Sequence, residues 1–142
     1  MAKLVFVDTW AWAALADKRD QWHVPAAAAR LRLREERARF VTTNVVVYEA
    51  HGLLRGRCPH SVATGFVDHI RTMAASPDVL EVVWAEPDLD DAALDILRRY
   101  ADKDFSFVDC LSFAAMQQRG ITTAFTGDEH FRHMGFETIP LL

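Results

Sequence analysis

The sequence predicts an α/β fold of three layers, α/β/α, with helices on both faces of a central parallel sheet of four or five short strands. Three observations predict it. The run from Lys3 to Val7 (KLVFV) is almost wholly apolar and β-branched without alternation, as in a strand covered on both faces. Segments of strand character alternate with segments of helical periodicity, the pattern of βαβ units. Apolar residues make up 51% of the 142 against 25% charged, which is enough to build a core. The length suits one domain, expected to span residues 1–142, and no repeat, linker or low-complexity tract divides it.

Taken in order, the first strand stops at Asp8-Thr9, and Trp10 to Ala16 reads as a short helix. Pro25 to Ala38 reads as a helix with one basic side, part of a comb of Arg30, Arg32, Arg34, Arg37 and Arg39. Phe40 to Thr43 is a second strand, and Asn44 is a suitable N-cap for a helix to about Arg55. Ser61 to Ala75 is helical and closes at Ser76-Pro77; Val79 to Trp84 is a third strand. Pro87 to Tyr100 is amphipathic, with Leu89, Ala92, Ala93, Ile96, Leu97 and Tyr100 on its apolar side. Ser106 opens a helix through Gln118 that stops at Arg119-Gly120. Thr122 to Thr126 is a fourth strand and Thr138 to Leu141 a fifth.

Composition narrows the function. The formal net charge is −4, so binding of nucleic acid by bulk positive charge is excluded and any such recognition has to be local. Cys58 and Cys110 form no CxxC pair, which fits neither a zinc signature nor a disulfide framework and is consistent with the cytoplasm. Asp8 interrupts the apolar N-terminal stretch and Lys18-Arg19 follow it, so a cleaved signal peptide is not expected. No apolar run approaches the ~18 residues of a membrane span.

Ligand sites in open parallel sheets lie at the carboxyl ends of the strands. Crossover helices run back against the strands, so their N-termini lie at the same edge. Four acids meet one of these conditions. Asp8 follows the first strand, Glu49 lies early in the helix after the second, Asp109 is in the first turn of the helix before the fourth, and Asp128 follows the fourth. Each has a plain structural reading: a turn residue, a solvated helix acid, a capping-box partner of Ser106, and an N-cap for a short helix through His133. Their convergence favours a cation site, because like charges so close need protonation or a metal. All-oxygen ligands suit Mg²⁺ or Mn²⁺ better than zinc, and such ions suit phosphate chemistry.

The ordered set resembles a known family. An apolar strand ending in Asp8-Thr9, Thr43 six residues before Glu49, Asp104-Phe-Ser106-Phe-Val-Asp109, and Thr126-Gly-Asp128 followed by Phe131 resemble the PIN domain over Lys3 to Pro140. Size and motif order resemble the VapC toxins of bacterial and archaeal toxin–antitoxin pairs. The resemblance implies a PIN-like fold in which Asp8, Glu49, Asp109 and Asp128 bind metal, Asp8 and Asp109 most directly. It implies that Thr9, Thr43, Ser106 and Thr126 orient carboxylates, waters or phosphate, and that Asp104 supports the ligands from outside. The implied activity is endonucleolytic hydrolysis of RNA by metal-activated water, leaving a 5′-phosphate and a 3′-hydroxyl. The implied partners are RNA, a second copy of the chain, and an antitoxin whose basic C-terminal segment blocks the acidic cleft.

Other features carry less. His130 and His133 are three apart with no third His or Cys ligand nearby, and read as a surface helix turn. The arginine comb has acidic neighbours, Glu35 and Glu36, and reads equally as a phosphate-binding or a solvated face. Trp10 and Trp12, close to Asp8, are expected to help line a partner groove. Three alternatives to a toxin remain: a PIN nuclease of RNA maturation, a non-catalytic interaction module, and phosphoryl transfer through an aspartyl-phosphate. The last is disfavoured by Trp at position 10, where Asp-x-Asp would need an acid.

Overall fold

A computed structural model of the chain describes residues 2–142. The elements run β1 (Leu4–Val7), α1 (Thr9–Ala16), α2 (His23–Glu35), β2 (Arg39–Thr43), α3 (Asn44–Arg57), α4 (His60–Ala74), β3 (Leu80–Val83), α5 (Pro87–Arg99), α6 (Phe107–Arg119), β4 (Thr123–Phe125), α7 (His130–His133) and β5 (Glu137–Ile139). The five strands form one parallel sheet in the order β3-β2-β1-β4-β5. No helix among the described residues is long and apolar enough to cross a membrane.

The continuous apolar run made β1 the centre of the sheet. Phe6 pairs in register with Val41 of β2 on one side and with Ala124 of β4 on the other. Val5, Phe6 and Val7 are all but inaccessible. Successive side chains of a strand point to opposite faces. Phe6 accordingly stacks on Phe131 beside α6, while Val7 packs with Trp12 and Phe66 on the other face. Right-handed crossovers put α1 to α4 on one face and α5 to α7 on the other. Within those layers α1 packs on α2 and α3, α3 on α4, and α5 on α6.

The same order creates a switch point. From β1 the chain steps outward through β2 to β3, then crosses back to β4 on the far side of β1 and continues to β5. Connections leaving β1 and β4 therefore diverge, and a crevice opens beyond the carboxyl ends of those two strands. Asp8 and the loop Thr126-Gly127-Asp128 occupy its floor.

Several expectations need correction. Asn44 does not cap α3: Thr43 does, its Oγ1 accepting the Val46 N–H at 3.0 Å, while Asn44 Oδ1 accepts the Ala85 N–H at 2.8 Å and ties α3 to the exit of β3. Trp12 does not line this crevice. It is buried, and its indole N–H donates to Thr42 Oγ1 at 3.2 Å. Within the arginine comb, Arg32 meets Glu36 and Arg39 meets Asp78, while Arg30 and Arg39 are half-buried.

Trp10, by contrast, does reach the crevice, packed against Trp22 with ring centroids 6.3 Å apart. Its ring lies so close to Gly127 that a Cβ there would sit 2.4 Å from Trp10 Cε2. An indole wedged against a second indole has little freedom to yield. Gly127→Ala is expected to displace Trp10 and to cost about 1–3 kcal/mol, the usual range for overpacking. Denaturant unfolding, followed by tryptophan fluorescence, measures both; an unchanged midpoint and spectrum would show that the ring moves freely.

Candidate active site

Asp8 ends the central strand with its carboxylate inside the protein, 6% exposed. Its Oδ2 accepts the Thr126 hydroxyl at 2.9 Å, and among the described residues no cation pairs with it. Burial pushes its pKa up to about 7, against the opposing pull of the Thr126 hydroxyl and the Thr9 N–H, and the charges of Asp128 and Asp109 push the same way as burial. A carboxylate held this way shares its proton at neutral pH or takes a cation from solution.

The other acids arrive from separate elements. Asp109 stands in the first turn of α6 and closes a capping box: Ser106 Oγ accepts the Asp109 N–H, and Asp109 Oδ2 accepts the Ser106 N–H, each at 3.0 Å. Asp128 follows β4, its N–H donating to Thr126 Oγ1 at 3.0 Å and its Oδ1 accepting the His130 N–H at 2.9 Å. Thr126 thus donates to one acid and accepts from the backbone of the next. Glu49 projects from α3, exposed, and lines the same cleft of about 680 Å³ as Asp8, Asp109 and Asp128. All four predicted acids border one space.

The supporting residues divide. Thr126 and Ser106 fix acids directly. Thr43 is buried and acts at one remove, by starting the helix that carries Glu49. Thr9 lines the cleft with its Oγ1 buried and without a protein partner. Asp104 stands exposed on the loop before α6 and outside the cleft lining.

Sequence reasoning missed His130. Its Nδ1 lies 3.1 Å from Asp109 Oδ2 and 3.5 Å from Asp128 Oδ1, and the three side chains offer ligand atoms within 4.8 Å of one another. The usable signal was its place two residues after Asp128, rather than its spacing to His133, which is exposed. Arg19 and Arg57 on the cleft wall were also missed; they pair with Asp17 at 3.8 Å and Asp20 at 3.0 Å. Cys110, buried behind Asp109, is no nucleophile, since burial and then the Asp109 charge push its thiol pKa up.

The donor set fits a hard divalent cation. Its candidate donors are carboxylates with the His130 ring beside them; among the described residues the deepest carboxylate has no counter-ion, and the hydroxyl beside it has no partner. Asp8, Asp109 and Asp128 would hold such an ion, with Glu49 across the cleft.

Known proteins share the sequence family and the fold. Residues 5–137 match the PIN domain family. Proteins named 23S rRNA-specific endonuclease VapC20, from two Mycobacterium tuberculosis strains (CDC 1551 / Oshkosh and ATCC 25618 / H37Rv), are 35% identical over 133 residues, 94% of this chain and 95% of theirs. The crystal structure of Mycobacterium tuberculosis VapC20, described as a sarcin-ricin loop cleaving toxin, superposes with a TM-score of 0.79 at 34% identity, covering 93% of this chain and 95% of that one. With its fold, its acidic crevice and these relatives in agreement, the chain belongs to the PIN-domain family.

Proposed function

We propose that this chain is a metal-dependent endoribonuclease, the toxin of a VapBC-type toxin–antitoxin pair acting in the cytoplasm. The observation that carries this reading is the gathering of Asp8, Glu49, Asp109 and Asp128 around one cleft, with Asp8 buried and unpaired. The relatives' named action on 23S rRNA makes ribosomal RNA the first substrate to test.

Asp8, Asp109 and Asp128 are the residues to hold Mg²⁺ or Mn²⁺. When bound, such an ion neutralises phosphate charge and makes water a stronger nucleophile. The chain's own groups supply the rest. The Thr126 hydroxyl keeps Asp8 Oδ2 turned toward β4, and the capping box keeps Asp109 at the mouth of α6. Glu49, without a protein partner among the described residues, faces the same cleft and is free to orient water there. Arg19 and Arg57 stand on the wall where flanking phosphates would pass. A basic antitoxin segment complements the same acidic space, so that inhibitor and substrate compete.

The proposed homodimer finds support on another face. Tyr48 and Trp84, each 58% exposed, flank an open apolar groove between α3, α4 and edge strand β3. Large exposed aromatics grouped around a groove are typical of interfaces.

Three expectations follow from this reading. Asp8→Asn abolishes metal-dependent cleavage of ribosomal RNA, a loss on the order of 10³-fold or more; undiminished cleavage in a gel assay with equal Mn²⁺ would refute the assignment. The same variant reports on the buried charge. Because the folded-state pKa of Asp8 is raised from 3.8 to about 7, the metal-free protein loses stability as pH rises through that window. Asp8→Asn has no proton to lose, so it should become the more stable of the two by about 2–4 kcal/mol near pH 8, with little difference near pH 4. Excess Mg²⁺ should narrow the gap; denaturant melts that stay parallel across this range would show that Asp8 titrates normally. For the dimer, light scattering of the wild type should give the mass of two chains and Trp84→Asp the mass of one, whereas a wild-type monomer removes the dimer from the proposal.

A further inference from the structure

We propose that His130 is a positioning residue of the metal site: its Nδ1–H holds Asp109 while its backbone N–H holds Asp128, each through one oxygen, which leaves their other oxygens to a divalent cation. The inference rests on the metal-dependent reading above and goes beyond the four acids.

Hydrogen-bond accounting carries it. Nδ1 lies 3.1 Å from Asp109 Oδ2 and 3.5 Å from Asp128 Oδ1. An ionised carboxylate only accepts, so the nitrogen facing two of them carries the hydrogen. Both oxygens it meets already serve the backbone: Asp109 Oδ2 accepts the Ser106 N–H, and Asp128 Oδ1 accepts the His130 N–H. His130 therefore bonds the structural oxygen of each acid, Asp109 Oδ2 through the imidazole and Asp128 Oδ1 through its backbone N–H, with Nδ1 also 3.5 Å from the latter. Among the described residues, Asp109 Oδ1 and Asp128 Oδ2 receive no protein hydrogen bond. Those are the oxygens a cation would take.

The ring is held from behind as well. It meets Phe105 edge-on with centroids 5.4 Å apart, and Phe105 in turn packs edge-on against the buried Phe113 at 5.0 Å. Orientation is thus set by the core beneath α6, independently of the acids. The result is one connected path, in which Asp8 receives the Thr126 hydroxyl, Thr126 receives the Asp128 N–H, and His130 joins Asp128 to Asp109. Without the imidazole, α6 and the β4–α7 loop would present their acids with no side chain between them. Direct ligation by Nδ1 is the rival arrangement, and it requires giving up that hydrogen.

Mn²⁺ titration of the full-length protein, with free Mn²⁺ read by electron paramagnetic resonance, tests the role. Asparagine places an amide nitrogen where Nδ1 lies, glutamine places it too far out, and leucine has none. His130→Leu and His130→Gln should weaken Mn²⁺ binding about ten- to a hundredfold, while His130→Asn stays within roughly threefold of wild type. Electron spin echo spectra of wild-type Mn²⁺ protein should lack the ¹⁴N coupling of a bound imidazole. Wild-type affinity in all variants, or a strong ¹⁴N coupling, overturns the proposal. If His130→Leu fails to fold, the Asn–Gln comparison decides, together with imidazole ¹H–¹⁵N spectra of the wild-type Mg²⁺ protein, which should show hydrogen on Nδ1. A wild type that takes up no Mn²⁺ brings down the metal reading itself, an outcome distinct from equal binding by every variant.

Discussion

A carboxylate buried at the end of the central strand, with hydroxyl and backbone donors but no cation, is the constraint on which the site is arranged. Packing alone would favour an apolar residue at position 8, since desolvating a charge is expensive. Topology explains how it is tolerated. Asp8 sits where β1 and β4 part company, so its backbone is fixed by the sheet while its side chain borders the crevice. The Thr126 hydroxyl from the neighbouring strand compensates in part. The remaining deficit is what a divalent cation can make good, which couples metal affinity to stability as well as to chemistry.

Around that anchor, capping and function turn out to be one arrangement. In the sequence, Asp109 read either as the capping partner of Ser106 or as a ligand, and Asp128 either as a helix-starting acid or as a ligand. The structure shows the capping bond for Asp109. Asp128, just ahead of α7, is not its N-cap, which is Glu129, but its Oδ1 accepts the His130 N–H. Each acid thus commits a single carboxylate oxygen to the backbone. A carboxylate has two. Binding one oxygen to the backbone fixes the direction of the other, which is how a loop residue acquires the precision of a helix terminus. Helix N-termini also favour negative charge, so α6 lowers the cost of placing Asp109 beside Asp8 and Asp128.

The alternation of strands and helices, the centrality of β1 and the edge on which the four acids meet were legible because they follow from periodicity and parallel topology alone. The misreadings have local causes. Thr43 and Asn44 are both capping residues, and the contact that diverted Asn44 to Ala85 is 41 positions away. Trp10 and Trp12 were placed together in a groove, yet residues two apart on a helix do not share a face: one meets the crevice and the other the core. His130 was judged by its spacing to another histidine, while Asp109, its partner, lies 21 residues earlier in the chain. Asp104 belongs to a motif but stands on an exposed loop, where motif position fixes no contact.

Net charge gives the arrangement its direction. A chain of formal charge −4 has no general attraction for RNA, and its cleft concentrates the negative charge further. Even the two arginines on the wall are engaged by Asp17 and Asp20. A phosphate approaching the empty cleft is repelled; one approaching a cleft loaded with cation meets a reversed local field. On the proposed reading, metal and RNA therefore bind cooperatively, each raising the affinity of the other. A basic peptide needs no such intermediary, because it is drawn to the acids themselves. On the proposed reading the same carboxylates admit substrate only with metal and inhibitor without it.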